Sequence, residues 1–159
     1  MKIFNDIYGY AKGDEILLCL ARCLGEQIDS SCDFVGHIGG DDFMLVMRPE
    51  DWTGKVSRLF AAFEQRCQPF YHDEHLAAGC FIAEGRQGSL ERYPLLSLSI
   101  GAVHVRPDPD AELDAAHLAQ LASQAKRQAK HTPGFSLHVL DTTPPSSGIQ
   151  SPIPAAMVL

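Results

Sequence analysis

His37-Ile38-Gly39-Gly40-Asp41-Asp42-Phe43 stands between two short apolar runs, 34–38 and 43–47. Both runs are rich in aromatic and β-branched residues and a paired glycine separates them, which predicts a β-hairpin. Adjacent glycines both accept φ > 0, as tight hairpin turns require. The turn opens onto two carboxylates at the rim of a sheet, where a cation or phosphate meets backbone without a Cβ. From these residues alone, an ordinary hairpin with solvated aspartates reads equally well. The second run is apolar without alternation, so both faces of its strand should be covered.

Working outward, residues 2–10 predict a short helical turn closed by Gly9. From 13 to 28, Ile16, Leu20, Leu24 and Ile28 recur at helical spacing, with Asp14 and Glu15 at the positive end of the helix. A second helix begins near Asp51 or Thr53 and turns Val56, Leu59, Phe60, Phe63 and Cys67 inward. Residues 79–84 and 89–105 predict another hairpin around a Gly85–Gly88 turn. Asp108-Pro109 suits an N-cap and first helical position for a helix to about Lys130, lined by Leu118, Leu121, Ala122, Ala125 and Ala129. A strand over 136–139 follows. The Pro/Ser-rich stretch 142–159 buries too little to order itself and is expected to be a disordered tail behind a domain of residues 1–141. Helices alternating with strands give an α+β fold, one sheet with helices packed on it.

A chain of 159 residues is one domain with room for a real core. Thirteen basic against twenty acidic residues, net −7, argue against binding nucleic-acid backbone, which needs clustered Lys and Arg. An anionic ligand would need a bridging cation or a locally positive pocket. No apolar run approaches the ~20 residues of a membrane span. Cysteines 19, 23, 32, 67 and 80 contain no CxxC pair, and read as reduced thiols of a cytoplasmic protein.

Four landmarks stand in a familiar order: Phe4-Asn5-Asp6 through Lys12-Gly13-Asp14, then Gly39-Gly40-Asp41-Asp42-Phe43, then Ser97-Leu98-Ser99-Ile100-Gly101, then Ala125-Lys126 and Ala129-Lys130. Over residues 2 to about 140 the chain resembles the GGDEF (diguanylate cyclase) family. The resemblance implies a palm-like, nucleotidyl cyclase-like sheet, though its first, central strand would precede Lys2 and is expected to be missing here. Two such domains form a homodimer in which two GTP become cyclic di-GMP and two pyrophosphates, with Mg²⁺ or Mn²⁺ as cofactor.

Carried onto this sequence, the resemblance makes Asp41 and Asp42 the catalytic residues and Asp41 the metal ligand. Asn5 and Asp14 would read guanine, Lys2 and Lys130 would contact phosphate, and Gly39 and Gly40 would line the substrate. From the residues alone, a cap role for Asn5 and a dipole role for Asp14 remain open. Along an extended chain the Asp41 and Asp42 side chains should diverge.

Several positions depart from the family. Asp42 stands where Glu is usual, one methylene short. His37 replaces an arginine, and Ser30-Ser31-Cys32-Asp33 lacks the arginine of the Arg-x-x-Asp inhibitory product site. Gly134-Phe135-Ser136 lacks a late arginine. Together these predict a guanine-nucleotide-binding domain of cyclic di-GMP signalling with weak or no cyclase activity. The alternatives are a competent cyclase once an upstream strand is present, or a non-catalytic regulatory or dimerisation module for a phosphodiesterase or sensor domain. His72-Asp73-Glu74-His75 reads as a solvated polar loop.

Overall fold

The computed structural model describes residues 1–84, 88–105, 114–142 and 155–158. Helix α1 (Lys2–Tyr8) ends at Gly9, whose φ of 86° suits glycine, and α2 (Tyr10–Gly25) follows at once. The helix expected over 13–28 is therefore longer at its start and shorter at its end. Gly13 is buried inside it, because an added Cβ would collide with the Asn5 side chain of α1. Asp14 consequently sits a full turn into α2 and not at its positive end.

Strands β1 (Phe34–Gly39) and β2 (Asp42–Met47) form the expected hairpin, closed by Gly40 and Asp41. Helix α3 (Trp52–Cys67) buries Val56, Leu59, Phe63 and Cys67, as its spacing predicts. A 3-10 turn, Gln68–Phe70, leads to α4 (Asp73–Ala78), so residues expected in a loop are helical. The second hairpin divides differently from expectation. Strands β3 (Cys80–Glu84) and β4 (Leu90–Pro94) form a separate two-stranded sheet, while β5 (Ser99–His104) joins the main one. Pro94 closes β4, since proline cannot continue a ladder as donor. Helix α5 (Ala115–Ala129) is capped by Asp114, whose carboxylate accepts from the Ala116 amide; the expected start at Asp108 lies outside the described residues. Strand β6 (Ser136–Asp141) then runs parallel to β5.

The main sheet has the order β1-β2-β7-β5-β6. Its middle strand, β7 (Ala155–Val158), comes from the stretch expected to stay disordered. It pairs antiparallel with β2, Met44 opposite Val158 and Met47 opposite Ala155. On its other side it is antiparallel to β5, Gly101 opposite Val158 and His104 opposite Ala155. The place that the resemblance gives to a first strand is thus occupied by residues 155–158. Over those residues β2 and β5 do not present unpaired edges.

Alternation along β5 organises the two layers. Ile100 and Ala102 join the main core with Phe4, Ile16, Leu24, Leu45, Leu59 and Phe63. Gly101 points the other way, where an added Cβ would collide with the backbone of Ala125 and Lys126 in α5. Strand β2 is covered on both faces, alternating buried with half-buried residues, as its unbroken apolar run predicts. Among the described residues no helix is long and apolar enough to cross a membrane. The five cysteines are unpaired, with Cys23, Cys67 and Cys80 buried.

Candidate functional site

Local forces build the glycine turn. Gly39 and Gly40 both have positive φ, 151° and 57°, as the paired glycine predicts. The His37 ring donates from Nε2 to the Gly40 carbonyl at 2.9 Å and stacks on its cross-strand partner Phe43, with ring centres 4.6 Å apart. The residue that replaces an arginine is therefore part of the hairpin's own closure.

Asp41 is exposed in the turn and Asp42 begins β2. Both border one cavity of about 260 Å³, together with Ser97 just ahead of β5, Ser99 at its start, and Lys126 and Lys130 at the end of α5. Asp41 lies in the turn, outside the extended chain along which neighbouring side chains alternate. Asp42 Oδ1 accepts a hydrogen bond from the Lys126 ammonium, which is largely shielded from water. A charge-assisted bond of that kind is stronger than a neutral one. Lys126 owes its place to Gly101: the missing Cβ lets α5 lie directly against β5 at that residue. Of the sequence-predicted residues, the cavity brings together Asp41, Asp42 and Lys130. Sequence reasoning passed over Lys126, although Ala125-Lys126 was one of the landmarks.

The remaining predicted residues lie elsewhere. Asn5 packs against Gly13, the residue before Asp14, at the α1–α2 junction. Among the described residues the buried Asn5 side-chain oxygen has no hydrogen-bond partner, which costs free energy unless something donates to it. Asp14 and Lys2 are exposed. Gly39 and Gly40 form the turn without lining the cavity.

Asp33, the surviving acidic residue of the inhibitory motif, is fully engaged. Its buried carboxylate accepts from Lys55 Nζ at 2.6 Å, the Asp29 amide at 2.9 Å and the Arg48 amide at 3.1 Å. Burial alone would raise its pKa, but these donors hold it down to about 2. Asp33 ties the chain ahead of β1 to α3.

An α+β sheet whose glycine turn sets two carboxylates opposite two lysines defines a domain of the nucleotidyl cyclase-like class. Residues 1–77 match the family described as Diguanylate cyclase, GGDEF domain, which supports membership of that family. It is 41% identical over 69 residues to a diguanylate cyclase of Vibrio cholerae, covering 43% of this chain and 20% of that protein. With diguanylate cyclase DgcM of Escherichia coli it shares 46% identity over 46 residues, 29% of this chain and 11% of the relative. Diguanylate cyclase DosC of Escherichia coli is 30% identical over 132 residues, 81% of this chain and 24% of DosC. The chain thus spans less than a quarter of each of these relatives. No solved structure matches it at a significant level. The family is generally metal-dependent and implies a role in cyclic di-GMP signalling.

Proposed function

We propose that this chain binds a guanine nucleotide with a divalent ion at the Gly39–Asp42 turn and cyclises GTP only weakly. One observation carries the reading: the carboxylates of Asp41 and Asp42 and the ammonium groups of Lys126 and Lys130 border the same cavity. Phosphoryl transfer depends on positioning and charge neutralisation, and those are the groups such a step requires.

The donor set fits an ion carried in by a phosphate. Mg²⁺ takes one or two carboxylates and completes its shell with phosphate oxygens and water. Asp41, exposed in the turn, is the residue to hold Mg²⁺ or Mn²⁺. When bound, the ion would neutralise phosphate charge and orient the reacting group. Lys130 and Lys126 offer positive charge to phosphate oxygens. The resemblance assigns guanine to Asn5 and Asp14, and the exposed Asp14 carboxylate can accept from the donor edge of the base. Asp42 is the weak point, because it is short by a methylene relative to the family's Glu and already bonded to Lys126. A full reaction needs a second copy with its own GTP, and a phosphodiesterase or sensor domain is a fitting partner in a longer protein.

Chromatographic measurement of cyclic di-GMP formed from GTP and Mg²⁺ tests the proposal. Asp42→Glu is expected to raise turnover by at least tenfold and toward ~10²-fold, the scale set by a 1 Å misplacement. Asp41→Ala should abolish the remaining activity. Rapid turnover in the unaltered chain, unchanged by Asp41→Ala, would contradict it.

A further inference from the structure

Away from the glycine turn, His72, Glu74 and His75 gather at the start of α4, and each offers a ligand atom within 4.8 Å of the others. We propose that these three side chains form a second metal site, selective for Zn²⁺ and similar transition ions over Mg²⁺. The site is independent of the nucleotide-binding proposal, and it uses none of that proposal's residues.

Each side chain is held for the task to a different degree. His75 is the anchor, with a side chain only 14% exposed. Phe81 packs edge-on against its ring with centres 5.3 Å apart, and Tyr8 does the same at 5.7 Å. The Tyr8 hydroxyl lies 2.5 Å from His75 Nδ1 and also accepts from the His72 backbone amide at 3.0 Å. With Nδ1 engaged, Nε2 is the ring nitrogen left to bind. It faces Glu74 Oε1 at 4.0 Å, too far for a hydrogen bond. The His72 ring lies parallel to that of His75, 10° between planes and 5.8 Å between centres.

This arrangement has the logic of a histidine metal site, in which the second ring nitrogen is fixed by an outer hydrogen bond. Here Tyr8 is that outer group, reaching across from α1. Around a tetrahedral Zn²⁺ with bonds near 2.0–2.2 Å, donor atoms stand about 3.4 Å apart. The exposed His72 and Glu74 side chains need only small rotations to draw the three atoms in from 4.8 Å. Two imidazoles and one carboxylate suit Zn²⁺, Ni²⁺ or Cu²⁺, whereas Mg²⁺ demands oxygen. Three protein ligands leave the fourth position to water. The expected solvated loop misses this because helical winding, by bringing residues three apart onto one side, aligns His72 with His75.

Calorimetric titration of the full chain with ZnCl₂, in excess MgCl₂, decides the matter. The expected result is one ion per chain at ~micromolar Kd, with His72→Ala, Glu74→Gln and His75→Ala each weakening it at least about tenfold. Tyr8→Phe, which touches no metal, should weaken it by about 10–100-fold as a positioning residue. Because His75→Ala removes a packed ring, the exposed His72→Ala and Glu74→Gln variants keep the test sound if that variant misfolds. Zinc-edge absorption spectra should show nitrogen and oxygen neighbours only. Absence of binding, binding indifferent to His72→Ala and Glu74→Gln, or sulfur in the shell would each overturn the proposal, the last by assigning the ion to cysteines.

Discussion

The glycine turn and the end of α5 face each other across one cavity, and they reach their positions in different ways. The turn is made locally. Glycine conformations, the His37 bond to Gly40 and the stack on Phe43 all lie within seven residues. Lys126 is instead placed from a distance, by α5 lying against Gly101 and by β6 running parallel to β5. The carboxylates are consequently a property of a short stretch, while their charge partner is a property of the whole sheet. Perturbations of the sheet should therefore reach the Asp42–Lys126 bond, and perturbations near α3 should not.

The largest effect is expected at the middle of the sheet. Ending the chain after Pro154 removes β7 and leaves facing edges of β2 and β5 without partners. Each lost backbone bond is worth about 0.5–1.5 kcal/mol and unpaired edges recruit other chains. Thermal unfolding should drop by on the order of 10 °C, since ~1 kcal/mol shifts a domain of this size by about 2–4 °C. Light scattering should show association. An unchanged, monodisperse chain would mean that β7 contributes nothing to the sheet.

A smaller loss follows from Gly101→Ala. The new methyl meets α5 backbone and not a yielding side chain, so α5 must move. Overpacking of this kind costs about 1–3 kcal/mol. Denaturant unfolding measures the loss. If the local-versus-distant distinction holds, nucleotide affinity falls with it, although residue 101 does not line the cavity.

Asp33 supplies the contrast, because it stabilises the fold on the far side of the hairpin. Its carboxyl pKa is held down to about 2 from an ordinary 3.8. A depressed carboxyl contributes stability that is present above the unfolded value and lost as pH falls through the folded one. The contribution, about 2 kcal/mol by linkage, should be intact at pH 5 and disappear between pH 4 and 2. Asp33→Asn should remove it and flatten that acid limb in pH-dependent unfolding, leaving nucleotide affinity at neutral pH unchanged. Cyclic di-GMP should not bind there, because the carboxylate is buried among its own donors.

The same division explains what could be read in advance. The α2 stripe of Ile16, Leu20 and Leu24 and the α3 stripe of Val56, Leu59 and Phe63 are buried as their spacing requires. The early start of α2 is not legible because the apolar stripe begins only at Ile16, and the three residues ahead of Gly13 add nothing to it. Helix α4 has six residues, too few for a period to declare itself. Ala155–Val158 carries no alternation, and only the vacancy between β2 and β5 makes it a strand. In the site, Asp41, Asp42 and Lys130 were legible from motif order. The Lys126–Asp42 bond was not, since nothing in spacing says which of two lysines one turn apart meets the carboxylate.

The account stands or falls on the cavity acting as one nucleotide site. The most direct measurement is calorimetric titration of the chain with GTP, with and without Mg²⁺, alongside Asp41→Ala, Lys130→Ala and Asp14→Ala. The account predicts weak, Mg²⁺-dependent binding, reduced about tenfold or more by each substitution, a loss of about 1.4 kcal/mol. Binding that is tight without Mg²⁺ and indifferent to Asp41→Ala and Lys130→Ala would contradict it.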